Sequence, residues 1–287
     1  MKAEIVLTAS ESKKLLADAI VEMDVFKHAR KRGLIVIHPS SSTWFILERL
    51  VEEVPKGIWL VGMVVPRGLC IEGKMLEHRK RDYLPQTSDF RLSWAFRDGK
   101  LEEGLPLSKL LEEMDENDLY IKGVNAIDTQ GNVGVLHARA GAGTIGKAVA
   151  ACKKRHFNIV IPVGFQKLVP GSIMENSKSV GVPESIDSSM GIRVGLYPIS
   201  RERVTVVTEV DALKILTGVK AIVISCGGLA GAEGAVVLLI KGEETQVNKT
   251  LNIIDKIKGI QSPEVTLCDC KECGYPLCDL AQAKKGN

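Results

Sequence analysis

The fold is indicated by the stretch Leu34-Ile-Val-Ile-His-Pro-Ser-Ser-Ser-Thr-Trp44 and by the residues that follow it. Its four branched apolar residues predict a short buried strand, and the polar loop after them leads into a predicted helix over residues 44–54. A second apolar run, Ile58 to Val65, predicts the next strand and ends at Pro66-Arg67-Gly68. A strand, a loop, a helix and another strand in this order are typical of a parallel sheet.

The same alternation continues along most of the chain. Further strands are predicted at 119–127, 133–137, 158–163, 204–209, 221–225 and 235–240, and helices at 10–32, 107–114, 143–155, 210–217 and 243–258. Residues 68–118 interrupt the rhythm as an irregular insertion with a small hairpin at Asp98-Gly99, and residues 170–200 are predicted to be irregular. We therefore expect an α/β fold, a mostly parallel sheet flanked by helices, over residues 1–259. A short Cys-rich tail, predicted to bind metal, occupies residues 260–287.

The composition excludes several classes of protein. With 287 residues, 45% hydrophobic and 25% charged, the chain has the make-up of one or two ordinary globular domains. Aromatic residues at 5% and a net charge of +3 argue against nucleic-acid binding. No run of apolar residues is long enough to predict a membrane span, and the N-terminus does not resemble a signal peptide. We expect a cytoplasmic protein that forms a homo-oligomer.

Polar side chains follow several of the predicted strands. In open parallel sheets, ligands bind beyond the carboxyl ends of the strands, so these side chains are candidate site residues. The candidates are Ser40, Ser41, Ser42, Thr43, Arg67, Asn125, Asp128, Gly141, Gly143, Thr144, Lys167 and Glu209. Hydroxyl groups, cations and the free N–H groups at helix starts together predict a binding site for an anionic small molecule.

Some of these residues also have a simple structural explanation. One hydroxyl of residues 40–43 is enough to cap the predicted helix, and Asp128 suits a tight turn before Gly131. A carboxylate such as Glu209 is stabilised at a helix start by the helix dipole. The candidate catalytic groups are Asp128, which would take part in proton transfer, and Glu209. Both interpretations stay open at this point.

Three segments in sequence order resemble the superfamily of ribose-5-phosphate isomerases, glucosamine-6-phosphate deaminases and CoA-transferases. They are Lys122-Gly-Val-Asn-Ala-Ile-Asp128, Gly141-Ala-Gly-Thr-Ile-Gly-Lys147 and Ile159-Val-Ile-Pro-Val-Gly-Phe-Gln-Lys167. The resemblance spans about residues 30–240 in the order of elements and implies a site for a phosphorylated or CoA-linked molecule. It places Ser40 to Thr43 where the isomerases bind the sugar phosphate. Residues 144–149 contain no carboxylate where the isomerases have a glutamate base, so the reaction stays unassigned.

Four of the seven cysteines, Cys268, Cys270, Cys273 and Cys278, lie within eleven positions near the C-terminus. Thiolates this close in sequence can converge on one metal centre at a small loop-closure cost. They select zinc, copper(I) or an iron–sulfur cluster over hard cations. Free or disulfide-bonded thiols are the alternative. Cys70 stands apart in the sequence, whereas Cys152 and Cys226 lie in apolar runs and are predicted to be small buried side chains.

The spacing Cys270-x2-Cys273-Gly274-x3-Cys278 resembles the four-iron–four-sulfur motif of corrinoid iron–sulfur proteins and related electron carriers of anaerobes. The resemblance covers about a dozen residues and implies a 4Fe-4S cluster, with zinc as the alternative. The family's fourth cysteine lies well downstream, whereas this sequence ends nine residues after Cys278. Cys268 is the nearest substitute, and a remote cysteine or a partner subunit could also supply the ligand.

These observations predict two kinds of function. One is an enzyme or binding domain of anaerobic metabolism that acts on an anionic metabolite, with the cluster as a redox or structural partner. The other is a non-catalytic sensing or assembly subunit, which binds the metabolite and passes electrons to a redox protein partner. The sequence does not name the metabolite or the reaction.

Overall fold

The computed structural model describes residues 1–81, 89–199 and 201–283, and a six-stranded mixed sheet lies at the centre of this part. Its strands, in order across the sheet, are β12 (Val204–Val207), β10 (Asn158–Pro162), β7 (Leu119–Ile121), β2 (Leu34–Ile37), β5 (Trp94–Arg97) and β6 (Lys100–Glu102). The first four are parallel, and the last two add an antiparallel hairpin at one edge. The structure thus confirms the predicted α/β class in its general form.

Three smaller sheets are antiparallel. They are formed by β1 (Lys2–Leu7), β14 (Val236–Lys241) and β13 (Lys220–Cys226); by β11 (Gly195–Ile199), β9 (Val133–His137) and β8 (Ala126–Ile127); and by β3 (Gly62–Val65) with β4 (Gly68–Ile71). In the first of them, the strand nearest the N-terminus pairs with a strand more than two hundred residues later.

The structure has helices on both faces of the central sheet and further helices that pack beside the β3–β4 hairpin. They are α1 (Ala9–Ile20), α2 (Asp24–Arg32), α3 (Trp44–Glu48), α4 (Gly73–Arg81), α5 (Leu107–Glu113), α6 (Gly143–Arg155), α7 (Ile173–Val180), α8 (Glu209–Thr217), α9 (Glu244–Ile257), α10 (Cys270–Cys273) and α11 (Asp279–Ala283). Capping boxes begin α1 at Thr8 and α8 at Thr208. No helix in the described ranges combines the length and the apolar character needed to cross a membrane.

Successive side chains of the parallel strands point to opposite faces of the central sheet, so an apolar cluster forms on each face. Ile35 and Ile37 point into one apolar cluster, which α1, α8 and α9 complete. Leu34 and Val36 point into the other, which α5 and α6 complete. Successive side chains of a strand face opposite sides, so a strand that is buried on both faces needs apolar residues at every position. This is why an uninterrupted apolar run predicted β2 correctly.

Other apolar runs do not join the central sheet. The run from Ile58 to Val65, predicted as a parallel strand, forms only β3, which turns back on β4 through Gly68 at a φ of 130°. The predicted strands at 221–225 and 235–240 exist as β13 and β14 but lie in the antiparallel sheet with β1. A short apolar run indicates burial without indicating its partner, which explains these errors.

Several boundaries also differ from the predictions. The helix predicted over residues 44–54 ends at Glu48, and the helix predicted over residues 10–32 is interrupted between Ile20 and Asp24. The segment 170–200 contains α7 and β11. The insertion at 68–118 contributes the predicted hairpin, but β5 of that hairpin is part of the central sheet. Residues 82–88 of this insertion and 284–287 of the tail lie outside the described residues.

The Cys-rich tail packs against the rest of the chain. Glu72 accepts a hydrogen bond from Thr266 N at 3.0 Å, and Gly73 N donates to Thr266 O at 2.9 Å. Arg193 pairs with Asp279 of α11 at 3.0 Å. These contacts place the tail beside the β3–β4 hairpin. The division into units 1–259 and 260–287 stays a prediction.

A carboxylate fixes the entry into β2. Asp118 is buried and accepts hydrogen bonds from Leu34 N at 2.6 Å and from Asp115 N at 2.8 Å, so it ties the starts of the neighbouring strands β2 and β7 together. Gly33 lies against this carboxylate. A Cβ atom added at Gly33 would be 2.6 Å from Asp118 Oδ1 and 2.7 Å from Asn117 O.

We expect the substitution Gly33→Ala to lower the free energy of unfolding by about 1–3 kcal/mol, the usual effect of overpacking. Urea unfolding would measure it. Gly57→Ala is the matched control, because a Cβ atom there would meet nothing within 4 Å. Equal unfolding midpoints for the two variants would contradict the importance of the Asp118 contact.

Candidate functional site

A cavity of about 1330 Å³, here called the main cavity, opens beside the carboxyl ends of the parallel strands. The loop after β2 brings His38, Ser40 and Ser41 to it, and the segment after β7 brings Lys122 and Asn125. Gly141, Gly143 and Thr144, at the start of α6, and Lys167, after β10, also border it. The structure therefore brings together seven residues that the sequence named as candidates: Ser40, Ser41, Asn125, Gly141, Gly143, Thr144 and Lys167.

Lys122 is the most deeply buried cation of the main cavity, with 7% of its surface exposed. Burial, with the charge of Lys167 adding to it, lowers the pKa of Lys122 from the ordinary 10.5 to about 7. Its ammonium group makes no hydrogen bond or ion pair with any residue in the described part of the chain. An amine in this position has capacity to bind a ligand.

His38 lies at the same wall. Its ring stacks on Phe90 with centroids 4.7 Å apart, and its Nδ1 is buried without a hydrogen-bond partner among the described residues. Burial, helped by the charge of Lys122, holds the pKa of His38 well below its ordinary value. The imidazole is therefore neutral at pH 7 and offers one nitrogen to a ligand as donor or acceptor.

Lys167 joins the loop after β2 to the segment after β7. Its ammonium group donates to Ser42 Oγ at 3.1 Å and to Val124 O at 2.7 Å. Burial and then the charge of Lys13 lower its pKa to about 7, against the opposing effect of Glu209. The Lys167 ammonium group thus donates to two neutral oxygens, and its third N–H can still donate to an anion.

The remaining charges around the main cavity are mostly positive. The basic and imidazole side chains are Lys56, His78, Arg91, His137, Arg139 and Lys147, and the acidic ones are Asp89 and Glu103. Asp89 is partly neutralised because it accepts hydrogen bonds from Ser108 and lies 3.8 Å from Lys147. The cavity therefore has an excess of positive charge, which attracts anions.

The start of α6 has an unusual backbone. Gly141, Ala142 and Gly143 all have positive φ angles, of 65°, 58° and 56°. Ala142 is the exception among them, since a residue with a Cβ atom rarely adopts this conformation, and such strain is found at functional sites. Gly143 and Thr144 border the main cavity, and the first N–H groups of the thirteen-residue α6 lie there without intrahelical partners.

Ser42 and Thr43 hold the loop in place and do not border the main cavity. Ser42 accepts from Lys167, and Thr43 Oγ1 donates to His38 O at 2.7 Å. The helix after them, α3, is only five residues long. Within this loop, Ser40 and Ser41 are the hydroxyl side chains that border the main cavity.

Asp128, Glu209 and Arg67 are not at the main cavity. Asp128 accepts hydrogen bonds from Gln130 N, Asn132 N and Ile173 N, so its carboxylate forms the tight turn that the sequence allowed. Glu209 is fully buried and accepts from Phe165 N, and burial raises its pKa despite these bonds and the nearby Lys167. Neither carboxylate borders the main cavity.

Arg67 lies instead among the cysteines. A second, small cavity, here called the cysteine cavity, is bordered by Arg67 and by Cys70, Cys270, Cys273 and Cys278. Arg67 Nη2 donates to Cys70 Sγ at 3.6 Å. Burial disfavours its charge, but this bond and the thiols of Cys70, Cys270 and Cys268 raise the pKa of Arg67. Arg67 was predicted to bind the anion with Lys167, and this placement is a correction.

All seven cysteines are free thiols, including the four of the tail. Cys152 is buried, as predicted, and donates to Phe157 O at 3.0 Å. Cys226 is exposed at the end of the edge strand β13, so its predicted burial is wrong. Within the described residues, no group of three or more histidine, cysteine and acidic side chains converges where a metal ion could be held. Gly274 has a φ of 58° and ends α10, as the tight wrap of the tail requires.

The two cavities share a wall. Cys70 and Cys273 border both of them, and Gly274 to Leu277 of the tail form part of the main cavity. The tail is thus a structural part of the candidate binding site.

Sequence reasoning missed Lys122, His38 and Cys70. Lys122 directly follows β7. A single charged residue in that position, after a buried strand, is a signal that could have identified it. His38 follows β2 in the same way. Nothing local to Cys70 indicates its neighbours in space, because they are about two hundred residues away in the chain.

A scan of the chain against protein-family models finds no match, and a search of curated proteins finds no significant relative.

The low pKa of Lys122 makes stability depend on pH. Between pH 7 and 10.5 the folded protein binds fewer protons at Lys122 than the unfolded chain does, so the free energy of unfolding rises with pH in this window. The contribution is at most about 1.4 kcal/mol per pH unit. We expect Lys122→Met to be more stable than the wild type at pH 7 and to lose part of this rise. Urea unfolding at a series of pH values would measure both.

The control is Lys220→Met, at an exposed position of β13. It should follow the wild-type pH dependence. A Lys122→Met variant with an unchanged slope would show that the Lys122 amine is not buried as described.

Proposed function

We propose that this chain binds an anionic small molecule, phosphorylated or CoA-linked, in the main cavity and carries a thiolate-bound metal centre beside it. The observation that carries the first part is Lys122, a buried amine at the cavity that makes no hydrogen bond or ion pair with the described residues. Burial of an unpaired ammonium group is unfavourable unless an opposite charge arrives. A bound anion would supply that charge.

The neighbouring groups favour a phosphate or a similar anion over a single carboxylate. Lys122 and Lys167 lie close enough to interact electrostatically, and Ser40, Ser41 and the start of α6 border the same space. Two ammonium groups, hydroxyls and backbone N–H groups together can satisfy several oxygens of one anion. Anion binding also returns both lysines towards their ordinary, charged state.

The volume supports a ligand larger than the anion itself. Pockets for small molecules are commonly about 300–1,000 Å³, and the main cavity is larger. Its walls include apolar side chains of the β3–β4 region and of α4, among them Leu60, Met63 and Met75. A CoA-type molecule, with phosphates and an extended apolar or acyl portion, has this combination of groups.

The order of segments 122–128, 141–147 and 159–167 supports a relationship to the isomerase and CoA-transferase superfamily. In the structure 122–128 follows β7, 141–147 forms the start of α6, and 159–167 contains most of β10 and the turn after it; residues of all three border the main cavity. No carboxylate is present in residues 144–149, and neither Asp128 nor Glu209 borders the main cavity. The proposal therefore concerns binding and leaves the reaction open.

One observation favours a sensing subunit as a second candidate function. The tail supplies part of the wall of the main cavity, so a bound ligand would lie against the cysteines. In such a protein the ligand would change the environment of the metal centre, and the tail would present that change to a redox partner protein.

The residue types that border the cysteine cavity suit a metal centre, which would draw together thiols that are not grouped as ligands in the described structure. Several thiols and no hard oxygen donors border it, which suits zinc or an iron–sulfur cluster. The sequence names Cys268, Cys270, Cys273 and Cys278 as the residues that would hold it. When bound, a 4Fe-4S cluster supplies one-electron transfer and zinc supplies structural cross-linking. The chain's own residues hold the tail against the hairpin and place Arg67 beside the thiols.

Anion binding can be tested by calorimetry with pyrophosphate and with coenzyme A. We expect Lys122→Met and Lys167→Ala each to weaken binding by about 1.5–3 kcal/mol, the range for hydrogen bonds to charged groups. The affinity of the wild type should also fall as the pH rises above 7, because the free amines lose their protons there. The control is Lys220→Met, at the exposed first residue of β13, which should bind normally.

Binding that is insensitive to both lysines, or a preference for neutral ligands, would contradict the site.

The metal centre can be tested on protein purified without oxygen. We expect iron with acid-labile sulfide and a broad visible absorption for a cluster, or colourless protein with zinc for the alternative. Replacement of Cys273 by Ser should remove the metal. Wild-type protein that contains neither metal after reconstitution would end this part of the proposal.

A further inference from the structure

We propose that Cys70, on the β3–β4 hairpin, is the fourth thiolate of the metal centre and that Cys268 is not a ligand. This inference rests on the proposed metal centre and assigns its ligand set. The thiols that border the cysteine cavity are Cys70, Cys270, Cys273 and Cys278. Cys268 does not border it, although it is the nearest cysteine in the sequence. The set is therefore three thiols of the tail and one from a segment about two hundred residues earlier.

The segment 190–192 pairs with the β3–β4 hairpin along one edge and with the tail along the other. Leu69 N donates to Met190 O at 2.8 Å, and Ile192 N donates to Leu69 O at 3.0 Å. Ile192 in turn forms an isolated bridge with Cys278. The hairpin and the tail are thus joined through one strand-like segment, which holds Cys70 and Cys278 in register across it without any metal, and both border the cysteine cavity.

Two glycines make this close approach possible. A Cβ atom at Gly191 would lie 2.0 Å from Leu69 O, and one at Gly68 would lie 1.8 Å from Met190 O. Both distances are far below van der Waals contact, so only glycine allows the segments to pair here. The hairpin is held against the segment 190–192 by a geometry that other residues would break.

Arg67 supplies a further, independent observation. Its Nε is buried and has no hydrogen-bond partner among the described residues, while its Nη2 already donates to Cys70 Sγ. A buried guanidinium donor without a partner is unfavourable. Thiolates bound to a metal, or the sulfides of a cluster, carry negative charge and accept such a hydrogen bond. Arg67 therefore lies where a thiolate centre that includes Cys70 needs a compensating cation.

Cys268 precedes the short helix α10 and packs in the same cluster as Cys273 and Cys278, but it does not border the cysteine cavity. Asp269 caps this helix through Lys271 N at 2.8 Å, with Cys270 as its first residue and Cys273 as its last. Cys268 precedes the cap. The turn that brings Cys270 and Cys273 to the cysteine cavity therefore does not include Cys268.

The test is anaerobic reconstitution of the full chain, first with ferrous iron and sulfide and separately with Zn²⁺. Metal content and dissociation constants are compared for Cys70→Ser, Cys268→Ser and Cys273→Ser, with Cys226→Ser as the control at an exposed thiol. We expect Cys70→Ser and Cys273→Ser to lose metal affinity by at least tenfold. Cys268→Ser and Cys226→Ser should bind as the wild type does.

Two outcomes overturn the inference. Cys70→Ser with wild-type metal content would do so, and so would a Cys268→Ser variant that loses as much metal as Cys273→Ser. Wild-type protein that binds no metal would overturn the proposed centre as well. The two failures can be told apart. If only the ligand assignment is wrong, both the wild type and the Cys70→Ser variant bind metal; if the proposed centre is wrong, the wild type binds none.

A second measurement covers the case in which Cys70→Ser does not fold. Thiol alkylation of the wild type is followed by mass spectrometry, with and without bound metal. Cys70 and Cys268 are both partly exposed, so both can react in the metal-free protein. Metal should slow the labelling of Cys70 by at least tenfold and leave that of Cys268 and Cys226 unchanged. An unchanged rate at Cys70 would refute the assignment.

Discussion

The candidate site depends on the burial of positive charge at the carboxyl ends of parallel strands. Lys122 and Lys167 follow neighbouring strands; Lys122 is buried, Lys167 is half-buried, and burial lowers the pKa of both. Two like charges so placed oppose folding, and the chain accepts this cost within a core that is otherwise apolar on both faces of the sheet. Natural sequences violate the usual rules of burial mainly at functional sites. The serine loop, the neutral His38 and the strained start of α6 are arranged around this pair of lysines.

The sequence predicted where strands and helices occur better than it predicted which strands pair with one another. The strands at 34–37 and 158–162 were found because a strand buried on both faces is a continuous apolar run. The strand predicted over 119–127 is divided into β7 and β8, and the edge strand β12 has an exposed Thr205. The run from Ile58 to Val65 has a similar composition, yet only part of it forms a strand, in a two-stranded hairpin. Pairing is decided by contacts between distant residues, which a local pattern does not contain. For the same reason the sequence identified β13 and β14 but not β1, the antiparallel partner of β14.

The site was predictable to a similar extent. Asn125, Gly143 and Lys167 were named from their positions after strands or before a helix, and topology then brought them together. Arg67 was assigned to the wrong group because it also follows a strand in the sequence, although that strand lies in the hairpin. Cys70 shows the limit most clearly. Spacing within the tail points to Cys268 as the nearest thiol, whereas pairing through Gly191 and Ile192 places the remote Cys70 at the border of the cysteine cavity.

The pairing of β1 with β14 also has a consequence for biosynthesis. Residues 2–7 leave the ribosome more than two hundred residues before residues 236–241 do. At typical translation rates this interval is roughly ten to fifty seconds. Throughout that time Ile5 and Leu7, which are buried in the finished protein, have no strand beside them. The nascent chain therefore carries an unpaired apolar edge for most of its synthesis, and its first strand is among the last to be fixed in place. A chaperone that covers such edges would act on this protein at its N-terminus.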